Sequence, residues 1–111
     1  MLYVDDKTVG NVINAPRGAL ILAKDGCGSC AAYEAEIKSL QERDVLGGLV
    51  VGKLTLTRPG SRAFKRSNPW LGTLEDLPYT VLYANGERVD EFAASKGTFL
   101  MERAEECWAR T

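Results

Sequence analysis

The sequence predicts an α/β fold in which a central mixed β-sheet is flanked by helices on both sides, as a three-layer sandwich. Two patterns predict it: a strand–helix–strand succession in the first half of the chain, and a β-hairpin followed by a helix in the second. The chain has 111 residues, of which 45% are hydrophobic and 26% charged, which is typical of one globular domain. We therefore expect a single domain over residues 1–111.

The strand–helix–strand unit starts at residues 19–23, a continuous apolar run typical of a parallel strand that is covered on both faces. Residues 30–43 then carry apolar side chains at spacings of three and four, which predicts an amphipathic helix with Glu34 and Lys38 paired on its polar face. The buried stripe of this helix is expected to consist of Cys30, Tyr33, Ile37 and Leu40. An apolar, β-branched run follows over residues 49–56, and because a helical crossover joins parallel strands, the two strands should be parallel.

The second half of the chain predicts a hairpin and a final helix. Residues 79–83 are rich in β-formers and lead to Asn85-Gly86, the strongest short-range hairpin signal, after which residues 87–92 return as an antiparallel edge strand. Ser95 can cap the last helix. One face of that helix is expected to carry Leu100, Ala104, Cys107 and Trp108.

The remaining segments complete the predicted order of elements. Residues 1–14 are long enough for a short first strand and helix. Residues 59–68 are basic and predict a short helix that ends at Asn68-Pro69, after which a loop containing Trp70 leads to Leu77-Pro78.

Composition and charge exclude several classes of protein. Basic and acidic side chains number 14 and 15, so the net charge of −1 gives no electrostatic footprint for nucleic acid or an anionic membrane. The chain has no histidine, which excludes Ser-His and Cys-His catalysis and His-ligated metal sites. No apolar stretch has the length of a transmembrane helix, and residues 1–6 lack the pattern of a signal peptide. We expect a cytoplasmic monomer without a cofactor.

The sequence Cys-Gly-Ser-Cys at residues 27–30 stands between the first strand of the unit and its helix. Backbone N–H groups and the macrodipole at a helix N-terminus stabilise negative charge, so the pKa of Cys27 should lie below that of an ordinary thiol. Cys30 follows one turn later on the buried stripe, where it can displace the reduced product after Cys27 has attacked a substrate disulfide. Lys24 adds a nearby positive charge, which Asp25 opposes. The pattern predicts dithiol–disulfide exchange at Cys27 and Cys30.

A Cys-x-x-Cys pair can also be half of a zinc site, or belong to a non-catalytic binding module that carries a soft ion such as Cu(I) or Zn. A closed zinc site needs four ligands, and this chain offers only Cys107 as a further cysteine and no histidine. Zinc binding would therefore require carboxylates or a dimer, and we expect no metal. The oxidoreductase and the metal-carrying module both stay open at this point.

Beyond the cysteine pair, the sequence resembles the thioredoxin family from about Ala19 to Trp108. Four segments match in order and at compatible spacing: the cysteine pair, the third strand with its lysine at Lys53, the cis-proline strand and hairpin at residues 77–87, and the opening of the final helix at residues 95–97. The resemblance implies a thioredoxin-like fold and exchange with protein disulfide substrates. It also implies a reductase or oxidase partner, which the sequence does not identify.

The resemblance also assigns a substrate groove. It implies that Leu77-Pro78 is a cis peptide bond beside the active sulfur, with the backbone of Leu77 pairing to an extended substrate; a trans proline that opens an edge strand is the alternative. Tyr79 would border this groove, or serve as a half-buried strand residue. The other groove residues are expected to be Gly26, Gly28 and Ser29.

The sequence departs from the thioredoxin pattern at three positions. The family has Trp-Cys-Gly-Pro-Cys, whereas Gly26 and Ser29 occupy the tryptophan and proline positions here. The family's buried aspartate falls near Ile21, so Lys53 should lack that partner and Cys30 should lack a nearby proton acceptor. Desolvation should then raise the pKa of Cys30 and make resolution of the mixed disulfide slow.

Three other groups of residues have structural and functional interpretations. Cys107 is expected to be a core cysteine, with a third redox role as the alternative. A basic cluster consists of Arg58, Arg62, Lys65 and Arg66. It is expected to form a solvated helix face, and docking to an acidic partner is the second interpretation. Trp70 and Trp108 are expected to be packing anchors.

Overall fold

The structure, a computed structural model, describes residues 1–93 and 96–108. Within those residues the strands form one five-stranded sheet in the spatial order β1-β3-β2-β4-β5. The strands are β1 (Leu2–Val4), β2 (Gly18–Ala23), β3 (Val50–Thr55), β4 (Tyr79–Ala84) and β5 (Glu87–Ala93). The helices are α1 (Gly10–Ile13), α2 (Gly28–Glu42), α3 (Arg62–Ser67) and α4 (Gly97–Trp108), with 3-10 turns at Pro59–Ser61 and Pro69–Thr73.

The sheet is mixed, as the sequence predicts. Strand β3 pairs in parallel with both β1 and β2, and in the β2 pairing Ile21 is the register partner of Lys53. Strand β4 is antiparallel to β2 and to β5, and β5 lies at the edge of the sheet. The predicted strand–helix–strand unit and edge hairpin are therefore confirmed, while the predicted cap at Ser95 lies outside the described residues.

Helices cover both faces of the sheet and give it three layers. On one face, Val12 of α1 and Phe64 of α3 pack against Leu20 and Leu22 of β2. On the opposite face the packing comes from α2 and α4, and its central residues are Ile21, Tyr33, Ile37, Leu82 and Leu100. The predicted stripe of α2 is confirmed, because Cys30, Tyr33, Ile37 and Leu40 are all buried.

The N-terminal segment is tied to the middle of the chain by Asp6. Its carboxylate accepts hydrogen bonds from the backbone N–H groups of Ala63 and Phe64, at 3.0 and 2.9 Å, which caps the first turn of α3. The Asp6 N–H in turn donates to the carbonyl oxygen of Gly60 at 2.7 Å. This arrangement fixes the segment after β3 beside the start of the chain.

The segment around Trp70 differs from the predicted loop, because it forms the 3-10 helix Pro69–Thr73. Proline at the first helical position presets the backbone for helix, and the indole N–H of Trp70 donates to Oδ1 of Asn68 at 3.2 Å. The Arg88 guanidinium lies 4.4 Å from the centroid of the Trp70 ring. Trp70 therefore anchors this segment against the start of β5, as its expected packing role requires.

Among the described residues, no helix combines the length and the apolar character that crossing a membrane requires.

Candidate active site

Cys27 is the N-cap residue of α2. Its backbone is extended, and its Sγ accepts a hydrogen bond from the Cys30 backbone N–H at 3.1 Å. Cys27 is half-buried, so part of the residue is open to solvent. Because N–H groups at a helix N-terminus favour negative charge, this position stabilises a thiolate on Cys27.

Cys30 lies one turn further along α2 and is buried, with 2% of its surface exposed. Its Sγ is bonded to that of Cys27 in a disulfide, and the Cα atoms of the two residues are 5.2 Å apart. Strand β2 ends at Ala23 and α2 begins at Gly28. Cys27, at the end of the loop between them, and Cys30, in the first turn of α2, therefore follow the carboxyl end of a buried parallel strand. One sulfur is thus accessible and the other is sheltered.

The peptide bond between Leu77 and Pro78 is cis, and it faces the cysteine pair. The Leu77 carbonyl oxygen lies 3.9 Å from Cys27 Sγ and 3.3 Å from Ser29 Oγ. Ser29 Oγ is also 3.4 Å from Cys27 Sγ. The structure therefore brings together Cys27, Ser29 and the Leu77–Pro78 bond, although the two segments are about 50 positions apart in the sequence.

Gly26 and Gly28 flank Cys27 in the sequence, and both are exposed. A Cβ atom at either glycine would have no neighbour within 4 Å. Gly26 also has a positive φ of 71°, a left-handed conformation that favours glycine over residues with a side chain. Gly26 is therefore a turn residue at the position where the thioredoxin pattern has a tryptophan.

The loop before Cys27 is held by Asp25. Its carboxylate accepts hydrogen bonds from the Thr57 hydroxyl at 2.9 Å and from the Arg58 guanidinium at 3.0 Å, and its backbone N–H donates to Thr57 Oγ1 at 3.0 Å. The guanidinium and then the hydroxyl hold the pKa of Asp25 below its usual range. Arg58 is exposed, as expected of the basic cluster, but it precedes α3 and forms an ion pair with this loop.

Glu34 and Lys53 form an ion pair on the α2 face of the sheet, with Lys53 Nζ 2.7 Å from Glu34 Oε1. Lys38 Nζ, at 3.1 Å, and the Tyr3 hydroxyl, at 3.0 Å, bind the other oxygen of Glu34. The hydrogen bond from Lys53 has the largest effect, and together these contacts lower the pKa of Glu34 to about 2. The expectation of Glu34 paired with Lys38 is confirmed.

Ile21 belongs to the α2–α4 core, with Lys53 as its register partner in β3 and a buried polar pair on its other side. Ile21 is 2% exposed and is the register partner of Thr80 in β4. The Thr80 hydroxyl lies 2.8 Å from the hydroxyl of Tyr33, and both residues are fully buried. Burial raises the pKa of Tyr33 to about 12, so this phenol stays neutral at physiological pH.

Tyr79 lies at the start of β4, directly after Pro78, and is half-buried. Its hydroxyl donates to Glu91 Oε1 at 2.8 Å, across the hairpin. Burial and this negatively charged acceptor raise its pKa to about 12. Its ring packs against the α1–α3 side of the core. These contacts are those of a half-buried strand residue, the second interpretation given for Tyr79.

Cys107 is half-buried rather than a full core residue. It packs against the edge of the α2–α4 core and lines a groove between β5 and α4, together with Val89 and Phe99. Burial and the negative charge of Asp90 raise the pKa of its thiol. The difference from the expectation arises because the last turns of α4 lie at the rim of the sheet, beside an edge strand.

The other predicted groups lie away from the cysteine pair in the chain. Arg62, Lys65 and Arg66 are exposed on α3, as expected of a solvated helix face. Trp108 packs against the α2–α4 core, in line with its expected role as an anchor.

The described residues contain no group of three or more Cys, Asp or Glu side chains placed to hold a metal ion. Cys27 and Cys30 are accordingly the two soft ligands that this site offers.

Several solved structures share this architecture. A thioredoxin variant from Halobacterium salinarum NRC-1 aligns with a TM-score of 0.73 and 22% identity, over 96% of this chain and 88% of that one. Thioredoxin f from spinach chloroplast aligns with a TM-score of 0.77 and 18% identity, over 99% and 86%. A thioredoxin of Malassezia sympodialis gives 0.75 and 11%, over 96% and 90%. Neither a protein-family model nor a curated protein matches the sequence. These similarities show that the chain has a thioredoxin-like fold.

Proposed function

We propose that this protein is a thiol–disulfide oxidoreductase that exchanges a dithiol and a disulfide at Cys27 and Cys30 with protein substrates. The observation that carries the proposal is the disulfide between a surface cysteine at the N-cap of α2 and a buried cysteine one turn later. The thioredoxin-like fold and the Leu77 carbonyl oxygen, 3.9 Å from Cys27 Sγ, support it.

The reaction follows from the different positions of the two sulfurs. In the reduced protein the Cys27 thiolate attacks one sulfur of a substrate disulfide, forms a mixed disulfide and releases one substrate thiolate. Cys30 then loses its proton and attacks Cys27 Sγ, which expels the second substrate thiolate. The substrate has gained two electrons and the protein holds the Cys27–Cys30 disulfide, which a reductase must reduce for the next cycle. With an oxidase as the partner, the same steps run in reverse.

A groove around Cys27 would hold the substrate during this exchange. Leu77 offers its backbone beside the sulfur, and Pro78 and Tyr79 continue from it into β4. On the other side, Gly26, Gly28 and Ser29 are exposed and leave room for an extended chain. An extended segment of an unfolded or flexible protein is the substrate that this open arrangement fits.

We further propose that residues 1–111 act as one monomeric domain in the cytoplasm. Every described strand belongs to a single sheet, which supports one domain. The alternative function, a carrier of a soft metal, would use the same two thiols; the described residues place no third ligand beside them, which a closed four-ligand zinc site would need.

Reduction of insulin by dithiothreitol tests the proposed function. The wild-type protein should accelerate the reaction, and Cys27→Ser should abolish the acceleration because the attacking sulfur is lost. Cys107→Ser is the matched control, since it also removes one thiol but leaves the disulfide pair intact, and it should retain the wild-type rate. If Cys27→Ser were as active as the wild type, the proposal would be wrong.

A further inference from the structure

The hydroxyl of Ser29 stands between two acceptors at the redox site. Its Oγ is 3.3 Å from the Leu77 carbonyl oxygen and 3.4 Å from Cys27 Sγ. A serine hydroxyl has one proton to donate, so it can make a full hydrogen bond to only one of these atoms at a time. Which acceptor it chooses depends on their relative strength.

The relative strength of the two acceptors changes with the redox state. In the disulfide the Cys27 sulfur is neutral and a weak acceptor, so the peptide carbonyl of Leu77 is the better partner. In the reduced protein the same sulfur carries the negative charge of a thiolate, and a charged acceptor forms the stronger hydrogen bond. The distances from Ser29 Oγ to the Leu77 carbonyl oxygen and to Cys27 Sγ differ by only 0.1 Å. Rotation of the hydroxyl hydrogen, with little movement of the oxygen, can therefore exchange one hydrogen-bond partner for the other.

We propose that Ser29 is a redox-dependent hydrogen-bond switch, which donates to the Leu77 carbonyl in the oxidised protein and to the Cys27 thiolate in the reduced protein. This inference rests on the proposed function, because it assigns a role within the same exchange. Reduction adds two electrons to the disulfide, breaks the S–S bond, and leaves a thiolate on Cys27 and a thiol on Cys30 that takes one proton from solvent. Ser29 keeps its own proton throughout and changes only the atom to which it donates.

The first consequence concerns the thiolate. In the oxidised structure, Cys27 Sγ accepts a hydrogen bond from the Cys30 backbone N–H at 3.1 Å. In the reduced protein it would also accept one from the Ser29 hydroxyl. Two donors stabilise the charged form more than one, so Ser29 increases the fraction of Cys27 that is ionised at neutral pH. It also stabilises the reduced protein relative to the disulfide, which makes the disulfide a stronger oxidant.

The second consequence concerns substrate binding. When Ser29 donates to Leu77 in the oxidised protein, that carbonyl is already occupied and pairs less well with a substrate N–H. When Ser29 turns to the thiolate, the carbonyl becomes available. The switch thus favours binding of a substrate to the reduced protein and release of the product once the disulfide has formed.

Other charged groups of the site do not depend on Ser29. Asp25 and Arg58 are bonded to each other in the loop before Cys27, and Lys24 and Asp76 are exposed on the loops that precede the two halves of the site. Cys30 is bonded to Cys27 Sγ. A substitution at Ser29 leaves all of them in place, so a change in Cys27 ionisation reports on the hydroxyl.

The test compares Ser29→Ala with Ser29→Thr, which keeps a hydroxyl, and with Ser39→Ala, an exposed serine further along the same helix. The apparent pKa of Cys27 is measured from the pH dependence of its alkylation, with peptide mass spectrometry to separate the cysteines. Equilibration with glutathione gives the redox equilibrium. Ser29→Ala should raise the apparent pKa by about one unit and shift the equilibrium about tenfold towards the disulfide, which is about 30 mV. Ser29→Thr should keep both the apparent pKa and the redox equilibrium close to their wild-type values. Ser39→Ala should change neither quantity.

Binding provides an independent readout of the Leu77 side of the switch. Oxidised Ser29→Ala protein should bind the reduced insulin B chain several-fold more tightly than the oxidised wild type, because the carbonyl is no longer occupied. Unchanged pKa, glutathione equilibrium and B-chain affinity in Ser29→Ala would overturn the switch even if the wild type reduces insulin. Conversely, failure of the wild type to reduce insulin would refute the proposed function, while the pKa and glutathione measurements would still decide on Ser29.

Discussion

The ammonium group of Lys53 lies 2.7 Å from the Glu34 carboxylate, which joins strand β3 to helix α2 directly after the redox pair. The sequence predicts that Lys53 lacks the buried strand aspartate of the thioredoxin pattern, and Ile21 of β2 does lie opposite Lys53. The pairing of Glu34 with this lysine was not predicted. Glu34 is four residues after Cys30 and reaches over the sheet to the lysine. Both side chains of this pair are largely shielded from solvent, with 19% of Glu34 and 20% of Lys53 exposed.

Glu34→Gln should destabilise the protein by about 1 kcal/mol, because it removes the charge from a partly exposed ion pair. The folded-state pKa of Glu34 is lowered to about 2, from an ordinary value of 4.5. The stabilisation by this carboxylate is thus fully present above about pH 4.5 and is lost as the pH falls through 2. Urea unfolding at neutral pH and near pH 2 should show that the difference between Glu34→Gln and wild type disappears in acid.

Glu42→Gln is the control for this prediction, since Glu42 is exposed at the end of the same helix. It should change the free energy of unfolding little at either pH. A Glu34→Gln difference that persisted unchanged in acid would contradict the ion-pair explanation.

The buried hydrogen bond between Tyr33 and Thr80 should behave differently from this ion pair, because water cannot replace either partner. Tyr33→Phe leaves the Thr80 hydroxyl unpaired, and Thr80→Val leaves the Tyr33 hydroxyl unpaired, so each should cost about 1–3 kcal/mol of unfolding free energy. The double variant leaves no unpaired group and should lose less than the sum of the two. A double-variant cycle by urea unfolding measures this coupling, and strict additivity would show that the bond contributes nothing.

Local patterns were sufficient to predict most of the fold. The apolar run that became β2, the stripe of α2 and the Asn85-Gly86 turn are signals carried by neighbouring residues. The position of Cys27 at the helix N-cap also follows from a local transition from strand to helix. Such features depend on periodicity and turn chemistry, which a single sequence contains.

Contacts between distant segments were harder to predict. Lys38 is four residues after Glu34 on one helix, and this pair was predicted, whereas the approach of Lys53 depends on how α2 is rotated over the sheet. The position of Ser29 against the Leu77 carbonyl likewise joins residues 48 positions apart. Sequence spacing within one element does not specify these tertiary distances.

Alkylation should distinguish the three cysteines in the reduced protein. Cys27 is half-exposed at a helix N-terminus, Cys30 is buried, and the pKa of the half-buried Cys107 is raised. Iodoacetamide at neutral pH should therefore modify Cys27 at least tenfold faster than either of the others. Peptide mass spectrometry over time measures the order, and preferential modification of Cys30 would reverse the proposed roles of the pair.

Gly18 is required by the close packing of α1 on β2, and its replacement should be costly. A Cβ atom there would overlap the backbone carbonyl oxygen of Val12, which cannot move away as a flexible side chain could. Gly18→Ala should destabilise the protein by about 1–3 kcal/mol in urea unfolding. Gly28→Ala is the matched control, because a Cβ at Gly28 meets nothing within 4 Å, and it should leave the stability nearly unchanged. Equal effects of the two substitutions would contradict this account of the packing.

The absence of an acid at Ile21 should make resolution of the mixed disulfide depend on pH. Cys30 must lose a proton before it attacks Cys27, and burial at 2% exposure disfavours its charged form. Single-turnover release of a thiol from a Cys27 mixed disulfide should therefore accelerate from about pH 6 to about pH 9, across the ordinary range of thiol ionisation. A rate that stayed constant over this range would show that ionisation of Cys30 does not limit turnover.

An acid introduced at this position should relieve that dependence. Ile21 is the register partner of Lys53, so in Ile21→Asp the new carboxylate would lie beside the ammonium group and compete with Glu34 for it. This variant should speed thiol release near pH 6 and flatten the pH profile, because the carboxylate accepts the Cys30 proton. Burial of the carboxylate can cost several kcal/mol, so urea unfolding must first show that the variant is folded. Ile21→Asn is the control of matched size and polarity without the charge, and it should keep the steep profile of the wild type. Equal profiles for Ile21→Asp and Ile21→Asn would mean that the polarity of the new side chain, rather than proton transfer to it, governs the reactivity of Cys30.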